Sequence, residues 1–417
     1  MKTRERATLG VHVRRLGLSL LIVLAIIVLA ITVVASCDSG PGSLQSPGIQ
    51  GSAERPAYIL NYSQRALYAL DLEGPGYLGH LQLDSPSITD PTFSPTKDTL
   101  YVFANRETRV AETGAAILGF DTARNEIVRK ILLPAGYLWH ELLGMSRLDS
   151  FYLLGSTHSA DSDTPPAQYV VEVDASTGAV SRKIRLRSQY DRHRASSGQI
   201  SPDGRWASVI NYRVSQNGDT TNFHQDETSL VLVDLRAGKQ VREVRLGHWL
   251  RSPTFAQDGK VLFASSMAEG KVYRIDLSTF EVEAIYTLPE ISSSRKDERR
   301  PFPVMLPVPK SHRVLLHYAV ARDTTHFIVF NAEGTMVEEH IVGTGGRSVF
   351  CDDAALCLAR PARESETFPS EGPNREVSSE MTPAIIQAID MKKWEITRND
   401  TVKIPKHALQ ASELLVP

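Results

Sequence analysis

Seven times along this chain of 417 residues an apolar, alternating run ends in an acidic or amide residue and turns at once into another strand-like run. The runs end at Asp71, Asp121, Asp174, Asp234, Asp276, Asn331 and Asp390. Successive separations of 50, 53, 60, 42, 55 and 59 residues have the scale of a four-stranded blade and exceed most solenoid repeats. The closing Asp or Asn can hydrogen-bond the backbone two residues on, so each hairpin is encoded locally. The rhythm predicts an all-β chain folded as a seven-bladed β-propeller of four-stranded antiparallel blades.

The clearest unit spans residues 200–246. Ser201-Pro202-Asp203-Gly204 is a tight turn in which Pro presets φ and Gly supplies φ > 0, and the run from Trp206 to Ile210 reads as the strand it opens. Residues 229–234 form the next strand, Arg236-Ala237-Gly238-Lys239 turns, and 240–246 alternate polar with apolar as an exposed outer strand does. The acids in these turns read as turn formers, not catalysts. The Ser-Pro-Asp-Gly turn with Trp206-Ala207 resembles the WD40-like repeats of periplasmic propellers. Val173-Asp174-Ala175-Ser176-Thr177-Gly178 resembles the YVTN-type propellers. The resemblance extends over about residues 57–401 and implies a fold without a reaction, because such propellers serve as binding platforms, enzyme scaffolds and assembly factors.

The N-terminus reads as an address. Lys2, Arg4, Arg6, Arg14 and Arg15 precede an uninterrupted apolar segment over 16–35, a pattern that leaves the start in the cytoplasm and carries the rest outside. Val34-Ala35-Ser36-Cys37 resembles a bacterial lipobox, which implies cleavage before Cys37 and lipid on its thiol. The alternative is an uncleaved signal-anchor helix, since roughly 20 apolar residues span a bilayer. Both place the protein in a bacterial envelope, and Asp38 resembles a signal that retains it at the outer face of the cytoplasmic membrane. The expected organisation is a signal peptide or anchor at 1–36, a flexible Ser/Gly/Pro spacer at 37–56, the propeller at 57–405 and a tail at 406–417.

Cys351 and Cys357 are the remaining cysteines. Neighbouring antiparallel strands there would let them meet as a disulfide, as suits an exported chain, and two buried thiols are the alternative. The first unit, starting near Ala57, lacks an inner strand. Thr401-Val402-Lys403-Ile404 is expected to fill that gap and close the ring.

Four polar insertions, at 156–166, 213–228, 290–302 and 362–382, interrupt the grammar. Alternation of connections puts all four on one rim, so the rim is the expected ligand surface, with His158, His224, Asp226 and His326 as its candidate residues. No HxH, HExxH or CxxC spacing accompanies them, so no metal is expected. No nucleophile elbow or phosphate loop occurs, and Val180 and Ser181 stand where quinoprotein propellers carry a stapling tryptophan, so no cofactor is expected. A net charge of −2 gives no global attraction to nucleic acid. The basic run of Arg182, Lys183, Arg185, Arg187, Arg192 and Arg194 around His193 reads as the charged face of an outer strand. The sequence therefore points to a membrane-tethered binding or scaffolding module for a protein or envelope glycan. The rivals are a propeller lactonase or hydrolase with a tunnel site and a subunit of a membrane redox complex.

Overall fold

Every regular element that the computed structural model describes is a β-strand. Apart from one or two residues at a few turns, the described residues are 49, 56–105, 115–157, 166–188, 193–213, 227–288, 303–342, 347–350, 355–361, 381–405 and 412–415. Their strands make seven antiparallel sheets of four, numbered here as blades I to VII in chain order. In blades II to VII the innermost strands are Ser87–Phe93, Tyr137–Met145, His193–Ile200, Leu250–Phe255, Val304–Pro307 and Arg347–Phe350. Those of blades II to VI lie against one another in succession. The leader or anchor at 1–36 and the start of the spacer, with Cys37, lie outside the described residues.

Local chemistry explains the rhythm that the sequence displays. Each of the seven acids or amides stands at or just after the end of a third strand. Asp121 accepts from the Ala123 and Arg124 N–H groups at 2.9 Å each, and Asp174 from Ser176 and Thr177 at 2.9 and 2.7 Å. Asp276 and Asp390 repeat the arrangement, and Asn331 reaches the Thr335 N–H at 2.8 Å. At the same end of the blade, in the turn that opens the second strand, Gly204 takes φ of 68° and the Ser201 hydroxyl accepts from the Trp206 N–H at 2.8 Å.

The hydrophobic core is distributed between blades, because each sheet is apolar on both faces and only a neighbouring blade can cover it. Seven buried clusters occupy the seven interfaces. Blades II and III, for example, bring Tyr101 and Phe103 against Phe151 and Leu153, with the Tyr101 and Phe151 rings edge to face at 4.8 Å. Each fully buried ring of this kind contributes on the order of 2–3 kcal/mol.

Closure of the ring differs from the sequence expectation. Blade I runs, from the inside out, Ser412–Leu415, Pro56–Asn61, Ala66–Asp71 and Gly76–Gln82, so the missing inner strand does come from the far end of the chain. It is not 401–404. Those residues continue the outer strand Glu395–Pro405 of blade VII, where Val402 pairs with Ala384 and Ile404 with Thr382. The long hairpin partner Met381–Asp390 holds them, and the strand that remains free for Pro56–Asn61 is Ser412–Leu415, with Leu415 opposite Tyr58 and Ser412 opposite Asn61. The propeller thus extends into the segment expected to be a tail. Val402 and Ile404 still serve closure, as buried side chains packed with Ala57, Ile59 and Tyr68 between blades VII and I.

Candidate functional site

Four consecutive inner strands break register. The breaks fall between Thr89 and Thr92 in blade II, at Trp139/Glu141 and Leu142/Gly144 in blade III, at Ser196/Gly198 in blade IV and at Arg251/Thr254 in blade V. A bulge frees a residue from the ladder and turns its backbone groups out of the sheet. Asp90 and Ser197, each within such a break, adopt φ of 53° and 47°. Gly198 follows directly, and a Cβ there would lie 2.5 Å from the Ser208 carbonyl oxygen and 2.7 Å from Leu143 Cδ2. Only glycine lets the blade IV strand come this near.

The freed amides meet acids from the preceding blade. Glu141 Oε1 accepts from the Gly198 N–H at 2.8 Å, and Oε2 accepts from the Ser197 N–H. Asp90 Oδ2 accepts from the Leu142 N–H at 3.2 Å. Each carboxylate therefore ties its own inner strand to the next, II to III and then III to IV. Thr254 Oγ1 does the same from V to VI, donating to the Met305 carbonyl at 3.0 Å.

These groups line a cavity of about 470 Å³ bounded by the inner strands of blades II to VI, with Asp90, Glu141, Gln199, Phe255 and Pro307 in its wall. Protein packed around Glu141 holds its pKa well above the usual carboxylate range, and the nearby charge of Asp90 adds to the effect. The two amide hydrogen bonds oppose the shift without cancelling it. One residue away, His140 moves the other way. Burial and the charge of Arg194 lower its pKa to about 4, so the ring is neutral at neutral pH, with Nε2 2.8 Å from Ser156 Oγ. A buried acid with a raised pKa can exchange a proton near neutrality, which is what a general acid or base needs. Against that use, both Glu141 oxygens are engaged by backbone amides. Among the described residues, no group of three or more His, Cys, Asp or Glu is arranged to share a metal ion.

A tunnel site entered the sequence expectations only through the rival hydrolase and without residues, and His326, the one candidate surface residue that is described, does not line this cavity. His326 lies on the third strand of blade VI, Thr324–Phe330, where Tyr318 Oη is 3.3 Å from Nδ1 and Glu339 Oε1 is 3.7 Å from it. His158, His224, Asp226, Cys37 and Cys351 lie outside the described residues. Cys357 stands on the second strand of blade VII opposite Val349, so the two expected strands are antiparallel neighbours. The basic run divides. Arg182, Lys183 and Arg185 belong to the outer strand Val180–Arg185 of blade III, whereas His193 and Arg194 begin the inner strand of blade IV.

Chain direction assigns the connections to two faces. On one face lie the inner-to-second and third-to-outer turns, none longer than 308–313. The other face receives every second-to-third and outer-to-inner connection. Among these are 106–115, 158–167, 214–226, 288–303 and 362–380. Four of the five overlap the insertions noted in the sequence.

No family model matches the chain, and no curated protein matches it. Solved structures do. The periplasmic gluconolactonase PpgL of Pseudomonas aeruginosa is 13% identical, with a TM-score of 0.51 over 87% of this chain and 98% of that one. The dihydro-heme d1 dehydrogenase NirN, in complex with DHE, is 13% identical, with a TM-score of 0.50 over 88% of this chain and 79% of that one. These likenesses show the β-propeller fold.

Proposed function

We propose that this chain is an extracytoplasmic binding or scaffolding propeller, tethered to the outer face of a bacterial cytoplasmic membrane, whose insertion-bearing face takes a protein or envelope glycan. The observation that carries the reading is the asymmetry of the two faces. Connections on one are uniformly short, while the other collects all the long ones, and long connections on a rigid scaffold are where binding groups concentrate. Tethering belongs to the same proposal through Cys37, and a Cys351–Cys357 disulfide fits an exported chain.

The test is crosslinking and recovery of the full-length protein from its own membrane, beside a version lacking 214–226. The proposal expects a discrete partner that the shortened protein no longer recovers. Recovery of nothing by either protein contradicts it. Metabolic labelling with palmitate checks the tether, with label expected on the native chain and absent after Cys37→Ala.

A second reading, a hydrolase of lactonase type, draws on the cavity beside Asp90 and Glu141. It expects lactone hydrolysis that Glu141→Gln abolishes. The commitment of both Glu141 oxygens to backbone amides favours the binding module.

A further inference from the structure

The outer strands of blades III and IV run side by side, and the seam between them is a groove of about 570 Å³. Lys183, Arg185 and Arg187 alternate with buried Ile184 and Leu186, so all three cations face outward along one wall. Lys239 and Arg242, exposed on the strand Lys239–His248, line the other wall. Side-chain bonds hold the walls together. The Arg187 N–H donates to Gln240 Oε1 at 2.7 Å, and Gln240 Nε2 donates to the Arg187 carbonyl at 2.9 Å. Arg182 adds a second tie, paired with Glu172 at 2.7 Å on its own blade and donating to the Arg236 carbonyl across the seam at 3.4 Å.

A solvated charged face ordinarily balances both signs, and this groove sets five cations against one acid. The single acid of the groove lining, Glu243, is occupied by the Ser188 and Ser229 hydroxyls at 3.1 and 2.6 Å. Lys183 sits over the Tyr137 ring, 5.5 Å from its centroid. Among the described residues, Arg185, Arg187, Lys239 and Arg242 have no carboxylate within ion-pair distance. Five cations therefore converge in one cleft of a chain whose net charge is −2, so the positive potential belongs to the cleft and not to the molecule.

We propose that this groove binds an acidic polysaccharide, with its carboxylates laid along the seam between blades III and IV. Same-face residues on a strand recur about every 7 Å, so the cations form a row that suits a repeating anion better than a single small one. They line two walls of a cleft, which a chain enters and a flat bilayer does not. Guanidinium forks pair with carboxylates and keep N–H donors for neighbouring hydroxyls, two groups that a uronic acid carries together. The groove lies between two outer strands and shares none of its lining with the insertion at 214–226, so it stands independently of the function proposed above.

The test is retention of the purified full-length protein on immobilised polygalacturonate, with neutral dextran as the blank. Binding to polygalacturonate alone is expected, and it weakens as salt rises because exposed charges are screened. Arg185→Gln with Arg187→Gln and Arg242→Gln lowers affinity at least about tenfold with the melting temperature unchanged, since three exposed charges are lost and the Gln240 clamp uses only the Arg187 backbone. Lys392→Gln with Lys393→Gln, on the exposed blade VII hairpin, leaves retention unchanged, as does removal of 214–226. Equal binding by the triple variant overturns the proposal. So does absence of binding by the native chain, or binding of polyglutamate or phosphatidylglycerol vesicles in place of the glycan.

Discussion

The acids of the inner strands and the acids of the third-strand hairpins are the same chemical groups in opposite settings. Asp174, on a hairpin at the surface, is only partly covered and is held down to about 2, chiefly by hydrogen bonds from the Ser176 and Thr177 side chains. Glu141, in the channel wall, accepts two backbone hydrogen bonds, yet burial raises its pKa. In water, hydrogen bonds to a carboxylate decide its pKa; among packed strands, desolvation outweighs them. The hairpin acids therefore act on the few residues after them, and the channel acids act between blades. That difference separates what repeats in this molecule from what holds its parts together.

The largest test of the contrast removes an inner strand altogether. Deleting 411–417 takes Ser412–Leu415 from Pro56–Asn61 and opens the ring between blades VII and I. A loss of more than about 4 kcal/mol, or of cooperative unfolding, is expected. An unchanged melting curve would show that closure does not depend on this strand.

Two glycines sharpen it next. Gly198→Ala drives a methyl into the Ser208 carbonyl and Leu143, and about 3 kcal/mol of destabilisation is expected in denaturant titrations. Gly204→Ala meets nothing nearer than 3.9 Å and suffers only its φ of 68°, about 1 kcal/mol. Equal effects would mean that the inner strands tolerate more than their spacing indicates.

The acids themselves come third. Glu141→Ala leaves the Ser197 and Gly198 amides unpaired at the blade III to IV junction and is expected to cost about 2 kcal/mol. Asp121→Ala, which frees amides that water can reach, costs about 1 kcal/mol or less.

The finest test is the pH profile, where the two classes have opposite signs. A raised pKa in the fold means that Glu141 contributes most below the ordinary carboxylate range, and its contribution falls as pH rises through that range toward the raised value. Asp276, lowered mainly by the Ser278 hydroxyl, contributes above the ordinary range and loses that contribution as pH falls through its lowered value. Comparing native and Glu141→Gln melting temperatures from mildly acidic to neutral pH should show the native chain losing more stability on the way up. A parallel pair of profiles would remove desolvation as the controlling effect.

The same contrast explains how much the sequence discloses. Seven hairpins are readable because an acid or amide followed by a short turn carries its own hydrogen-bond partners, and the apolar run before it, buried on both faces, marks the third strand. Inner strands hide. Ser87–Phe93 and Leu250–Phe255 contain proline, and His193–Ile200 contains Ser-Ser-Gly, because their bulges and channel-facing side chains do not need an apolar alternation. Glu141 was accordingly missed, although glycines inside two neighbouring strand patterns, Gly144 and Gly198, are the signal of a close approach that could have located it. The closing strand was misplaced because Thr401-Val402-Lys403-Ile404 has a clear strand pattern and Ser412–Leu415 is only four residues long. Local pattern cannot show that the former is already paired. The insertions were readable as insertions, and their common face follows from strand direction.

The central claim, that the channel acids hold blades together while the insertion-bearing face binds, reduces to one paired measurement. Partner recovery from the native membrane is compared for the full-length chain, the chain without 214–226 and the Glu141→Gln variant. The account predicts that shortening the insertion abolishes recovery and that Glu141→Gln leaves it intact. Recovery that survives the deletion and disappears with Glu141→Gln would contradict it and move the site into the channel.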